Sequence, residues 1–344
     1  MRSGIIGKRM TLALIILFVG LSVLKSPAQV LRDVGPIPQI PAREDWNTLR
    51  VPAGASFGHP FPPMKGEFAD FTREFIQLDY RPNDLVELYV MKPKGVEKPP
   101  VILYLYTYPS QTDRFRDETF GKIATRNGFA AVGFVSALTG YRFHDRPQRT
   151  WFISELQESL GDSVHDVQII LNYLASRGDL DMSRVGMYGT GSGASIAIMA
   201  ASVDPRIKAL ELFSPWGDWP QWLAESKFVP ADERKDYVKP EFLKSVEILE
   251  PVKWLPELKT QKVRMDFLKV NPITPPAATE LLRLAAPENV DIVTYESGEA
   301  FLEQVGMKGT TFDWLKAQLT ANASTKQTRR DKPSNETQAS TRRP

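Results

Sequence analysis

The sequence has no cysteine among its 344 residues. That excludes disulfides, thiolate metal sites, a cysteine nucleophile and a lipid-bearing N-terminal cysteine. Histidine is nearly as scarce: His59, His144 and His165 are the whole supply. There is no H-E-x-x-H pair and no G-x-x-x-x-G-K-[ST] phosphate loop, so no residue pattern calls for a metal or a cofactor. A dominant charge is missing too. The formal net charge of +2, from 43 basic and 41 acidic residues, is too small a surplus to imply nucleic acid as a partner.

What is present starts with a processing signal. Arg2, Lys8 and Arg9 precede an apolar run from Met10 to Leu24, and Ser26-Pro27-Ala28 supplies small residues for cleavage. The run is shorter than the ~20 residues that span a bilayer. Residues 1–28 therefore read as a signal peptide, with no stable membrane insertion after cleavage; retention as an anchor is the alternative. The expected location is periplasmic or extracellular, and the lack of cysteine suits a bacterial exporter. Residues 29–68, rich in proline and glycine, read as an extended segment on the surface of a domain covering 69–320. Residues 321–344 have almost no apolar side chains and read as a disordered tail.

Within 69–320 the pattern is that of an α/β protein. "FTREFIQLDY" and "DLVELYVMKP" read as two strands joined by a turn at 81–84. "PPVILYLYTY" is a continuous apolar run, as expected of a strand buried on both faces; "AAVGFVS" reads as another buried strand, and "RVGMYG" and "IKALELFS" as the next two. Helical patterns separate them, most clearly 154–178 with Val164, Val167, Ile170, Leu171 and Leu174 on one face. This alternation implies a mostly parallel sheet with helices on both sides. It breaks off at about 215–258, a segment with four tryptophans that suits a small lid.

The stretch "VGMYGTGSGASIAIMA" (185–200) is a strand, a glycine turn and an apolar helix. Gly189-x-Gly191-x-x-Ala194 fits a loose dinucleotide fingerprint, with Glu211 about where a ribose acid would lie. Against that, two buried strands already precede the turn, and Glu211 sits inside an apolar run. The second possibility is a nucleophile elbow, G-x-S-x-G. The run from Asp166 to Pro215 resembles, segment by segment, the helix, strand, elbow and helix of α/β hydrolases. The dienelactone-hydrolase, acetyl-xylan-esterase and prolyl-oligopeptidase branches are the most similar, over roughly 71–319. The resemblance implies an α/β-hydrolase fold with a small lid insertion.

It also implies a Ser, Asp and His triad in that chain order, and here the three places carry other residues. Gly191 stands at the nucleophile's place. Asn271, in "LKVNPITPPAA", stands at the acid's. Glu299, in "YESGEAF", stands where the family has its histidine, and no histidine follows His165. The resemblance places backbone oxyanion donors near Thr107 and Ser192. Two readings remain open. In one, the chain is an exported, non-catalytic member of the superfamily, a binding or scaffolding module for an unknown small molecule or protein. In the other, it is an esterase- or peptidase-type serine hydrolase using Ser192 with His144 as base and Asp145 or Glu299 as orienting acid. Tyr106, Tyr108, Trp216 and Trp219 are candidates for an aromatic pocket, or for packing of the lid onto the body.

Overall fold

The structure is a computed structural model that describes residues 45–81, 84–108, 113–137, 151–260 and 262–320. The expected signal peptide (residues 1–28), the expected tail (321–344) and the stretch carrying His144 and Asp145 lie outside the described residues.

Ten strands form one sheet. β1 (His59–Pro60) and β2 (Met64–Glu67) pair with β3 (Phe71–Arg81), which pairs antiparallel with β4 (Asp84–Pro93). Then follow β5 (Pro100–Leu105), β6 (Ala130–Phe134), β7 (Asp181–Thr190), β8 (Ile207–Phe213), β9 (Lys262–Leu268) and β10 (Asp291–Tyr295). The spatial order is β1-β3-β4-β6-β5-β7-β8-β9-β10. β4 runs antiparallel to β6, and from β6 onward every pairing is parallel.

The apolar runs dictate this arrangement. Every residue of β5 and β6 is buried, which requires a helical layer on each face. One face is covered by α1 (Glu118–Thr125) and α6 (residues 313–320). α2 (Leu156–Arg177), α3 (Ser192–Val203) and α5 (Pro276–Ala285) cover the other. Gly178, at φ 74°, closes α2 in the left-handed conformation that favours glycine. α3 is buried on all sides, so its apolar residues show no one-sided pattern.

The chain enters β5, crosses to β6 on one side, and returns past β5 to β7 on the other. The sheet order thus reverses between β5 and β7, the place where open α/β sheets form a crevice for ligands beyond the C-terminal ends of their strands.

The described part of the proline-rich entry segment, 45–68, is mostly exposed and lies along the outside of the domain. It contributes β1 and β2 and straps onto α2. The Trp46 indole donates to Asp162 at 2.9 Å, His165 Nε2 meets the Thr48 carbonyl at 2.8 Å, and Gln168 bonds both Val51 and Leu49 main chain. These polar residues recur every three to four positions along one face of α2, which is why an irregular backbone can lie there with its groups satisfied.

The segment 214–260 between β8 and β9 holds short helices, the first being α4 (Trp219–Glu225). Trp216, Trp219 and Trp222 are buried in the larger core. Among the described residues no helix is long and apolar enough to cross a membrane.

Candidate functional site: the crevice at the strand reversal

Two loops meet at the crevice: Tyr106-Thr107-Tyr108 after β5, and Thr190-Gly191-Ser192 between β7 and α3. Close packing sets the second loop. A Cβ on Gly193 would stand 2.2 Å from the Leu105 carbonyl oxygen, and one on Gly189 would stand 2.6 Å from Ala194 Cα. Only glycine lets the start of α3 come this near to β5 and β7.

Gly191 itself has φ 52° and ψ −119°, the sharp strand-to-helix conformation that a nucleophile elbow imposes on its central residue. Its amide donates to the Phe213 carbonyl at 2.9 Å, and its carbonyl accepts from Ala194 and Ser195. The turn has the shape of an elbow with a hydrogen for a side chain.

The space above it is filled. A Cβ on Gly191 would lie 2.3 Å from Thr107 Oγ1, 2.8 Å from Thr107 Cβ and 3.0 Å from Trp216 Nε1. Trp216 is fixed from behind by Ser195, whose hydroxyl donates to its carbonyl at 2.6 Å and accepts from its amide at 2.9 Å. The indole also packs on Trp222 and Phe228, with ring centroids 4.8 and 5.4 Å apart.

The two loops are tied to each other by amide-to-hydroxyl bonds. Thr107 N–H donates to Thr190 Oγ1, and Tyr108 N–H donates to Ser192 Oγ, each at 2.9 Å. The Thr107 amide, expected near an oxyanion, thus already has a partner in the neighbouring loop. Ser192 is fully buried, with its oxygen engaged by Tyr108. Thr107 and Thr190 were not recognisable from sequence as partners in this closure, because 83 positions separate them.

The other predicted positions have these surroundings. Asn271 Oδ1 accepts from the Ile273 and Thr274 amides at 2.9 and 3.1 Å, a local turn that leads the chain into α5. Glu299 is exposed on the short helix Gly298–Phe301, which is capped by Ser297. His165 is buried on α2 against the entry strap and His59 is exposed on β1. Glu211 is 8 % exposed in mid-strand, under α6. From there it cannot reach a ribose at the glycine turn, which removes the dinucleotide reading's acid.

The four aromatic candidates do not come together. Tyr106 lies with Phe115, Phe120 and Tyr188 on the α1 face, under the Arg114 guanidinium at 3.5 Å. Tyr108, Trp216 and Trp219 belong to the core of the opposite face. Trp219 alone of the four lines a groove of about 540 Å³, with Pro220, Leu243, Val252 and Leu281. Burial pushes the Tyr106 and Tyr108 hydroxyls above their usual range, so neither is a phenolate at neutral pH. Among the described residues no group of three or more His, Asp or Glu side chains could hold a metal ion.

No protein-family model matches the chain. A Bacillus subtilis (strain 168) protein named "Putative hydrolase YtaP" is 27 % identical over 155 residues, covering 39 % of this chain and 50 % of that one; the match thus spans half the length of that relative. Solved structures align over much more. The acetyl xylan esterase from Paenibacillus sp. R4 superposes with a TM-score of 0.59 at 16 % identity, covering 77 % of this chain and 92 % of that one. The acylaminoacyl peptidase of Pyrococcus horikoshii does so at 0.55 and 14 %, covering 72 % and 42 %. The chain has the α/β-hydrolase fold.

Proposed function

We propose that this chain is an exported α/β-hydrolase-fold protein that does not carry out acyl transfer and uses the crevice at the strand reversal as a binding or scaffolding surface. The observation that carries this reading is the occupied nucleophile position: glycine at 191, with the Thr107 side chain in the space a serine Cβ would need. Acyl transfer requires a nucleophile, a base to take its proton and an acid to orient the base. Asn271 is neutral and spends its oxygen on its own turn. Glu299 is an exposed carboxylate that cannot replace an imidazole base, and no histidine follows His165.

The names of the relatives favour the second reading, a serine hydrolase of esterase or peptidase type built on Ser192 and His144. Its nucleophile would have to leave a fully buried position and release the Tyr108 amide. The two readings separate on one experiment. The purified chain is incubated with a fluorophosphonate probe and analysed by intact mass. No adduct is expected; an adduct on Ser192 that disappears in Ser192→Ala would establish the hydrolase. Acetylated xylo-oligosaccharides and N-acylated peptides, chosen from the neighbours' names, are the first compounds to screen for binding by thermal shift. Export rests on the Met10–Leu24 run and the Ser26-Pro27-Ala28 site; N-terminal sequencing of the exported protein tests it.

A further inference from the structure

The seam between α6 and the sheet is built from groups that ordinary cores avoid. Cross-strand register places Tyr104 beside Tyr188, Tyr188 beside Glu211, and Glu211 beside Arg264. Asp266, two residues beyond Arg264, points to the same face. α6 lies over this row through Leu315 and Leu319, which seat on Gly186: a Cβ there would stand 2.9 Å from Leu319 Cδ1 and 3.1 Å from Leu315 Cδ1. The Leu315 amide donates to the Glu211 carboxylate, so Glu211 serves the first turn of α6 from below. On the other side of α6, the Lys316 ammonium is 2 % exposed and donates to the Ile123 and Arg126 carbonyls at the end of α1, 2.9 Å each. Arg126 closes the set by reaching Asp313 at 2.6 Å and the Gly309 carbonyl at 2.5 Å.

Three buried oxygens in the seam have no hydrogen-bond partner: Tyr104 Oη, Glu211 Oε2 and Asp266 Oδ1. In a dry interface such atoms are destabilising, and a negative charge on either carboxyl would be far more so. Every wall matters to that charge. β5 presents Tyr104 with Tyr106 beyond it, β7 presents Tyr188, and β10 presents Tyr295, which donates to Asp266. The α1 side brings Arg114 and Arg126, and α6 brings Asp313 and Lys316. The cation facing Glu211 is Arg264, which is committed to Asp291 at 2.6 and 2.8 Å and lies 5.0 Å from the Trp314 ring.

We propose that α6 is a pH-sensitive latch: it closes on the sheet while Glu211 and Asp266 carry protons, and it lifts at alkaline pH, when water must reach the carboxylates. The titration supports the geometry. Burial, with the neighbouring Asp266, raises Glu211 to about 8, and burial raises Asp266 to about 7. Burial lowers Lys316 to about 8, so its loss of charge relieves a burial penalty and works against the lift that the carboxyls drive. Beside the seam, Tyr295, the donor to Asp266, packs on Phe301, which in turn packs on Phe213, with ring centroids 5.1 and 4.6 Å apart.

The test is hydrogen–deuterium exchange of the full chain from pH 6 to 9, corrected for base-catalysed intrinsic exchange. Protection of the 313–320 amides is expected to fall by about tenfold or more, while α3 keeps its protection. In Glu211→Gln and in Asp266→Asn the dependence should be reduced, and in the double variant it should flatten to within about twofold. Protection at 313–320 that does not change with pH in the native chain, or that falls together with α3, overturns the latch. So does an undiminished pH dependence in either variant that folds.

Discussion

Placing a single methyl group at Gly191 tests whether the elbow has closed around a glycine. In Gly191→Ala the new Cβ lands 2.3 Å from Thr107 Oγ1 and 2.8 Å from Thr107 Cβ, distances at which something must move. The backbone angles, φ 52° and ψ −119°, add about 1–3 kcal/mol of strain for a residue with a side chain. Overpacking against a threonine held in a bonded loop adds about 1–3 kcal/mol. Together Gly191→Ala should cost about 2–6 kcal/mol, read as a fall in urea midpoint at constant m-value. Thr107→Gly removes both atoms in the way, at a cost of its own. The double variant should recover the steric share, giving a coupling of about 1–3 kcal/mol in the double-mutant cycle. A Gly191→Ala chain as stable as the native one would refute the filled-site geometry. A cycle with no coupling would show that Thr107 is not what fills it.

Two further outcomes follow from the structure. Glu211 and Asp266 have folded pKa values above their ordinary ones, so the stability they contribute is complete below about pH 4 and is lost as pH rises through 7 to 8, by up to about 4 kcal/mol each. Lys316, depressed to about 8, has the opposite sign, and its penalty is relieved only above that pH. Urea midpoints should therefore fall between pH 5 and 8 and then level off, and Glu211→Gln should shrink that fall; a midpoint that rises from pH 5 to 8 contradicts the assignment. Gln168→Ala removes the pair of bonds that holds Val51 and Leu49 to α2, worth about 1–3 kcal/mol. Limited proteolysis should then cut first within 45–57; first cleavage elsewhere, at an unchanged rate, would show that the strap is held by other contacts.

The parts of the fold legible in the sequence are those where one physical signal suffices. β5 and β6 are unbroken apolar runs because both their faces are covered, and Gly178 marks the end of α2 because only a left-handed residue fits there. β1 and β2 were not legible. They are two and four residues long, largely exposed, and proline-flanked, and they exist because β3 offers an edge. The site was half legible. Gly191, Asn271 and Glu299 could be read one by one against a resemblance, but Thr107's place above Gly191 joins residues 84 positions apart. The tryptophans at 216, 219 and 222 could equally have lined a pocket or packed a core, since the spacing is the same for both; their burial, at 0–2 % exposure, decides for packing. Glu211 showed as an acid out of place in an apolar run, while its unpartnered oxygen and the helix above it come only from the tertiary structure.

The central claim is that a hydrolase fold stands here without acyl-transfer chemistry. Steady-state cleavage of a simple aryl acetate by the full chain tests it most directly, with Ser192→Ala and His144→Ala measured beside it from the same purification. The structure predicts that all three chains give the same rate, indistinguishable from buffer. A native rate well above buffer that falls about a hundredfold or more in Ser192→Ala would mean that Ser192 leaves its buried place and attacks, and the non-catalytic account would be wrong.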